Sequence, residues 1–232
     1  MSDSRIIVAL DFPDEASTMK LVDRIKPELC RLKIGKELFT RCGPELVKRI
    51  VNSGYDVFLD LKYHDIPNTV ANACKAAADL GVWMINVHAL GGPAMLAAAR
   101  NALSDADSPL LIAVTILTSS SEDDLKAVGI NQSAKNMVKQ LALLSKDQGL
   151  DGVVCSAQEA AELKSKLGQD FILVTPGIRL PADDAGDQKR IVSPADAIRQ
   201  GSDYLVIGRP IIQADDPIQK LLTINSEISH CD

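Results

Sequence analysis

The sequence predicts an α/β chain folded as one (β/α)8 TIM barrel over residues 1–232. Three observations carry this. Eight short apolar runs alternate with longer segments of helical pattern along the whole length. The runs lack the polar alternation of a half-exposed antiparallel sheet and look like parallel strands covered on both faces. No linker, low-complexity stretch or repeat divides the chain, and crossover helices between parallel strands naturally close a sheet at a count of eight. A doubly wound open sheet is the competing arrangement. Against it, the first run is followed by Asp11-Phe12-Pro13-Asp14 and not by a glycine-rich dinucleotide fingerprint.

Taken in order, residues 6–10 form the first strand, and Asp14-Glu15 opens the helix behind it. Residues 30–34 form the second, after which Gly43-Pro44 opens a helix. The third, 57–61, runs toward Ile66-Pro67, which should break it. Gly81 closes a helix before the fourth strand, 83–87, and His88 ends that run. The fifth is 110–117. Gly149 closes a helix ahead of the sixth, 152–155. The seventh, 171–175, leads through Ser193-Pro194-Ala195-Asp196, an N-cap with proline in the first turn, to the eighth, 204–208. The segments 118–131 and 180–190 are longer than their units require.

Composition narrows the function classes. A chain of 232 residues with 46% hydrophobic content can bury a large core. Its net charge of -6, 3% aromatic content and lack of any basic run leave neither a phosphate-backbone footprint nor a base-stacking platform, so no nucleic acid is expected as partner. The polar residues 1–5 give no signal peptide, and no segment reaches the roughly 18 apolar residues of a membrane span, so a cytoplasmic protein is expected. Five scattered cysteines without C-x-x-C spacing indicate neither a disulfide framework nor structural zinc, and the three histidines have no metal-ligand spacing.

The chemistry concentrates in Asp60-Leu61-Lys62-Tyr63-His64-Asp65-Ile66-Pro67-Asn68-Thr69. Residues two apart on a strand share a face, so Asp60 and Lys62 point the same way, with Asp65 just beyond. As surface groups, Asp60 and Lys62 form an ion pair of little worth and Asp65 with Asn68 starts a helix. In a cleft, the same residues hold an ammonium among carboxylates, which suits a proton donor. Other polar residues fall at strand ends, which in a barrel share one rim. These are Asp11, Lys33, His88, Thr118, Arg179 and Arg209. Lys33, inside Leu32-Lys33-Ile34, points either to solvent or to the interior, where it needs carboxylate partners. Gly208 and Arg209 follow the eighth strand, where barrels commonly bind phosphate.

The chain resembles the orotidine 5′-monophosphate decarboxylase family from end to end. The likeness rests on Val8-Ala9-Leu10-Asp11, Leu32-Lys33-Ile34-Gly35, Phe58 through Thr69, Val114-Thr115-Ile116-Leu117-Thr118-Ser119, Val174-Thr175-Pro176-Gly177-Ile178-Arg179 and Val206-Ile207-Gly208-Arg209-Pro210. The resemblance implies conversion of orotidine 5′-monophosphate to uridine 5′-monophosphate and CO2, without metal or organic cofactor, by a homodimer with shared active sites. It implies that Asp11 binds a ribose hydroxyl, Lys33 bridges the ribose and the charged array, Asp60 lies against the substrate carboxylate, and Lys62 donates the proton. Asp65, Ile66 and Thr69 are implied to enter the site of the other subunit. Thr118 is implied on the pyrimidine, and Gln188, Gly208 and Arg209, with Arg179 nearby, on the 5′-phosphate. Two rivals remain: a metal-dependent sugar-phosphate decarboxylase or aldolase on the same barrel, whose motif shares D-x-K-x-x-D but lacks Ile-Pro-Asn-Thr, and a non-catalytic phosphate-ligand sensor.

Overall fold

The computed structural model describes residues 4–180, 192–229 and 231. Eight parallel strands close into a barrel in chain order: β1 (Ile6–Ala9), β2 (Arg31–Gly35), β3 (Val57–Tyr63), β4 (Met84–His88), β5 (Leu110–Val114), β6 (Gly152–Val154), β7 (Ile172–Thr175) and β8 (Tyr204–Ile207). The ring closes where β8 pairs with β1, Val206 opposite Ile7. All eight expected strands are present. The fifth stops at Val114, short of residue 117, and the third runs on to Tyr63, past residue 61.

The helix boundaries follow from local chemistry. The Asp14 carboxylate accepts the Ser17 N–H at 2.7 Å and caps the helix Glu15–Val22. The Ser193 hydroxyl accepts the Asp196 N–H and starts Pro194–Arg199 with proline in its first turn. Gly43-Pro44 opens a helix as expected: the run Lys36–Asn52 is two helices meeting at a kink, where Gly43 at φ 70° is non-helical and Pro44 starts the second.

The apolar runs lack alternation because both faces of each strand are buried. Ile7, Phe58, Met84, Ile112 and Val174 meet inside the barrel, while their neighbours Val8, Leu32, Leu59 and Ile85 join the layer packed under the helices. The period-two pleat then sets the interior in tiers. Below Lys33 on the same face of β2, the Arg31 guanidinium lies 4.6 Å from the Trp83 ring centroid and 5.0 Å from that of Tyr204, with Asp56 at 3.2 Å. This stack fills the N-terminal end. Above it, Ala9, Lys33, Asp60, Val114, Val154 and Val206 are carried to the C-terminal end, where a cavity opens. At Gly152 an added Cβ would sit 2.1 Å from the Ile172 carbonyl oxygen, so only glycine lets β6 approach β7 there.

No helix among the described residues is long and apolar enough to cross a membrane. The five cysteines are unpaired, and burial pushes the Cys30 and Cys74 thiols up to about 12, so they pack and do not act as nucleophiles.

His88, at the end of β4, is half-buried, and its ring centroid lies 5.6 Å from that of His64. Burial, reinforced by His64, Lys36 and Lys62, lowers its pKa from 6.5 to about 4. Between those values the unfolded chain binds a proton that the native chain refuses. Stability therefore falls as pH drops from about 6.5 to about 4. Urea denaturation across that range should show a smaller loss of stability in His88→Asn than in the parent; equal losses would remove His88 as a source of acid sensitivity.

Candidate active site

A cavity of about 520 Å³ opens at the C-terminal end of the barrel, within the size range of small-ligand sites. One wall is a connected series of charges supplied by β1, β2 and β3. Lys33, buried on β2, places its Nζ 3.7 Å from Asp11 Oδ1 and 3.3 Å from Asp60 Oδ2. Asp60 Oδ1 accepts a hydrogen bond from Lys62 Nζ at 2.5 Å. Lys33 thus turns inward and finds the carboxylate partners that its position demanded.

Asp60 is as enclosed as Lys33, with a side chain 11% exposed. Burial alone would raise its pKa, at a cost of several kcal/mol for an ion taken out of water. The ammoniums of Lys33 and Lys62 each attract it by about 4 kcal/mol at an effective dielectric of about 20. With hydrogen bonds from Lys62 and Asn86 added, the balance goes the other way and its carboxyl is held below the usual range. It is an ionised carboxylate built into the wall.

Lys62 reaches Asp60 by a route that simple alternation does not describe. It is the one described non-glycine residue with positive φ, at 53°. Such a backbone costs of order 1–3 kcal/mol and is characteristic of functional sites. The β3–β4 ladder shifts register here: Leu59 pairs with Ile85 and Tyr63 with Val87, so four steps on β3 oppose two on β4. The bulge re-aims the Lys62 side chain, which lines the cavity beside Asp60. Asn86, fully buried on β4, donates from Nδ2 to Asp60 Oδ1 at 2.7 Å and accepts the Lys62 N–H on Oδ1 at 2.8 Å. The sequence reading missed Asn86. Its one signal was a carboxamide inside the apolar strand Met84-Ile85-Asn86-Val87.

The rest of the rim is formed by the ends of β5, β7 and β8. Thr118, Arg179, Gly208 and Arg209 all line the cavity, as expected, and so does Gln213, four residues beyond Arg209, which the sequence reading also missed. The Arg179 guanidinium is buried and donates to the Ile178 carbonyl at 2.8 Å. An added Cβ at Gly208 would sit 3.2 Å from Asp11 Oδ2, so glycine lets the β8 turn close against Asp11. Gly208, Asp11, Lys33, Asp60 and Lys62 therefore form one continuous wall from β8 round to β3.

Asp65, Ile66 and Thr69 do not join that wall. All three are exposed at the start of the helix Pro67–Ala78 and none lines the cavity. Ile66 occupies the N-cap position without a side-chain cap, and the Asp65 carboxylate accepts the Ile66 N–H instead of capping the helix. Gln188 and most of the segment 180–190 lie outside the described residues. Among the described residues no group of three or more His, Cys, Asp or Glu side chains converges as a metal site.

Comparison with known proteins places this geometry in a family. The family model described as "Orotidine 5′-phosphate decarboxylase / HUMPS family" matches residues 4–224. The orotidine 5′-phosphate decarboxylase of Saccharophagus degradans is 57% identical over 228 residues, covering 98% of this chain and 96% of that protein. That of Shewanella sediminis is 58% identical over 231 residues, covering 99% of each. The crystal structure of the Lactobacillus acidophilus orotidine 5′-phosphate decarboxylase superposes with a TM-score of 0.86 at 40% identity, covering 96% of this chain and 98% of that one. With the charged wall on β1 to β3 and the arginines beyond β7 and β8, these matches lead to one conclusion: the chain belongs to the orotidine 5′-phosphate decarboxylase / HUMPS family.

Proposed function

We infer that the chain converts orotidine 5′-monophosphate to uridine 5′-monophosphate and CO2, with no metal or organic cofactor. The observation that carries this is the unbroken Asp11, Lys33, Asp60, Lys62 wall facing Thr118 and the two arginines across one nucleotide-sized cavity. The near relatives are named for this activity, and the Ile-Pro-Asn-Thr that follows Asp65 separates the chain from the metal-dependent sugar-phosphate rival.

The chemistry asks for such a wall. Loss of CO2 from this ring carbon leaves an electron pair in an in-plane orbital that the ring does not delocalise. Charge must be stabilised where it appears, by groups already in place. As the carbon–carboxylate bond breaks, CO2 departs with one carbon, and the pair left on the ring takes a proton from Lys62 Nζ. Asp60 orients Lys62 and faces the substrate carboxylate, a repulsion relieved when CO2 leaves. Asp11 and Lys33 hold the ribose and Thr118 the pyrimidine. Arg209, with Gly208, Arg179 and Gln188, holds the 5′-phosphate, and binding energy there offsets the repulsion at the reacting end.

In this reading the enzyme is a homodimer that shares its sites. A second cavity of about 360 Å³ also touches Asp11, Lys33, Asp60 and Lys62, so the charged wall stays open beyond the first cavity. Asp65 and Thr69 are exposed beside a 66% exposed Ile66, which supports their entering such a cavity of a second copy.

Two measurements test these readings. Purified protein in excess chelator should convert the ultraviolet spectrum of orotidine 5′-monophosphate to that of uridine 5′-monophosphate; an unchanged spectrum with folded protein would overturn the decarboxylase reading and send the search to magnesium and sugar phosphates. Mixed dimers of two inactive proteins, Lys62→Ala and Asp65→Ala, should regain activity, since both lesions fall in one site and the other is whole. Confirmed mixed dimers without activity would contradict sharing.

A further inference from the structure

We propose that Asn86 is a positioning residue of the reaction: its buried carboxamide sets both the backbone of the proton-donating Lys62 and the orientation of the Asp60 carboxylate. The inference rests on the decarboxylase reading and adds to it a residue that touches no substrate, since Asn86 does not line the cavity.

The β3–β4 ladder loses its regular pairing between Leu59 and Tyr63, and Asn86 is the β4 residue between their partners, Ile85 and Val87. A bulge leaves backbone groups unpaired, and a buried unpaired N–H is costly. The Asn86 side chain fills the gap. Its Oδ1 accepts the Lys62 N–H at 2.8 Å, replacing the missing ladder bond at the residue held at φ 53°. Its Nδ2 donates at 2.7 Å to Asp60 Oδ1, the same oxygen that receives Lys62 Nζ. Lys33 occupies the other oxygen, Asp60 Oδ2, at 3.3 Å. One planar group therefore ties the proton donor's backbone to the carboxylate that aims its ammonium. A carboxamide presents an acceptor and a donor from one planar group, whereas an ionised aspartate lacks the donor. A carboxamide buried within an apolar strand has no core role that a valine would not fill better.

The test compares the parent with Asn86→Ala, and with Asn86→Ser should the alanine variant fail to fold. Saturating turnover of orotidine 5′-monophosphate should fall by about 100-fold, the scale of loss for a reacting group displaced by about 1 Å. Affinity for uridine 5′-monophosphate, which lacks the carboxylate and is held by phosphate and ribose, should change less than about threefold. A folded variant that keeps turnover within about threefold of the parent overturns the proposal, and so does one that loses turnover and product affinity together, which marks a merely structural residue. Crystal structures of parent and variant supply a reading independent of activity. Lys62 should leave positive φ in the variant, and an unchanged Lys62 backbone would overturn the proposal. A parent protein that does not decarboxylate would sink the functional reading and leave this structural arm to decide the positioning alone.

Discussion

The site depends on one constraint: a carboxylate buried at the top of the barrel must remain charged. Asp60 can do so only with cations on both oxygens, and the fold delivers Lys33 from the neighbouring strand and Lys62 from the same one. The requirement propagates. Lys62 has to leave the regular pleat to present its ammonium, the strand has to bulge, and the bulge has to be repaired by a buried polar group on β4. Strain, desolvation and an interior carboxamide are each unfavourable alone. Together they fix the lysines and the carboxylate in one arrangement before any ligand arrives, which is what electrostatic catalysis requires.

Barrel architecture makes that arrangement possible. The same two-residue period sends Ile7 inward and Val8 outward, and stacks Phe58 beneath Asp60 and Arg31 beneath Lys33. A tightly packed interior below supports a charged tier above, so Lys33, Asp60 and Lys62 sit on strands and not on loops. Two arginines line the cavity farther round the rim, where Arg179 and Arg209 follow β7 and β8. In the proposed reaction, chemistry and anchoring are thus kept apart while remaining linked through Asp11, which approaches both Lys33 and Gly208.

Much of this was legible in the residues. Eight uninterrupted apolar runs declare strands covered on both faces, and the structure closes all eight in order. Lys33 was legible because a lysine in an apolar strand has few places to go. The geometry of Lys62 was only half legible: alternation brought it to Asp60, but a left-handed residue and a register shift depend on pairing with β4, which no local pattern encodes. Asn86 escaped for the same reason, since its partners lie 24 and 26 residues away. The helix start at Gly43-Pro44 was legible too, since a left-handed glycine ahead of a proline interrupts one helix and begins the next. Asp65 could not be resolved by one chain, whose own fold leaves it exposed.

The most direct test is the turnover of Asp60→Asn at saturating orotidine 5′-monophosphate. The substitution preserves shape and removes only the charge that holds Lys33 and Lys62 together. If the buried carboxylate organises the site, turnover falls by about 100-fold or more in a protein that remains folded. Turnover within a few-fold of the parent would contradict the account, because the two lysines would then be held by something other than Asp60.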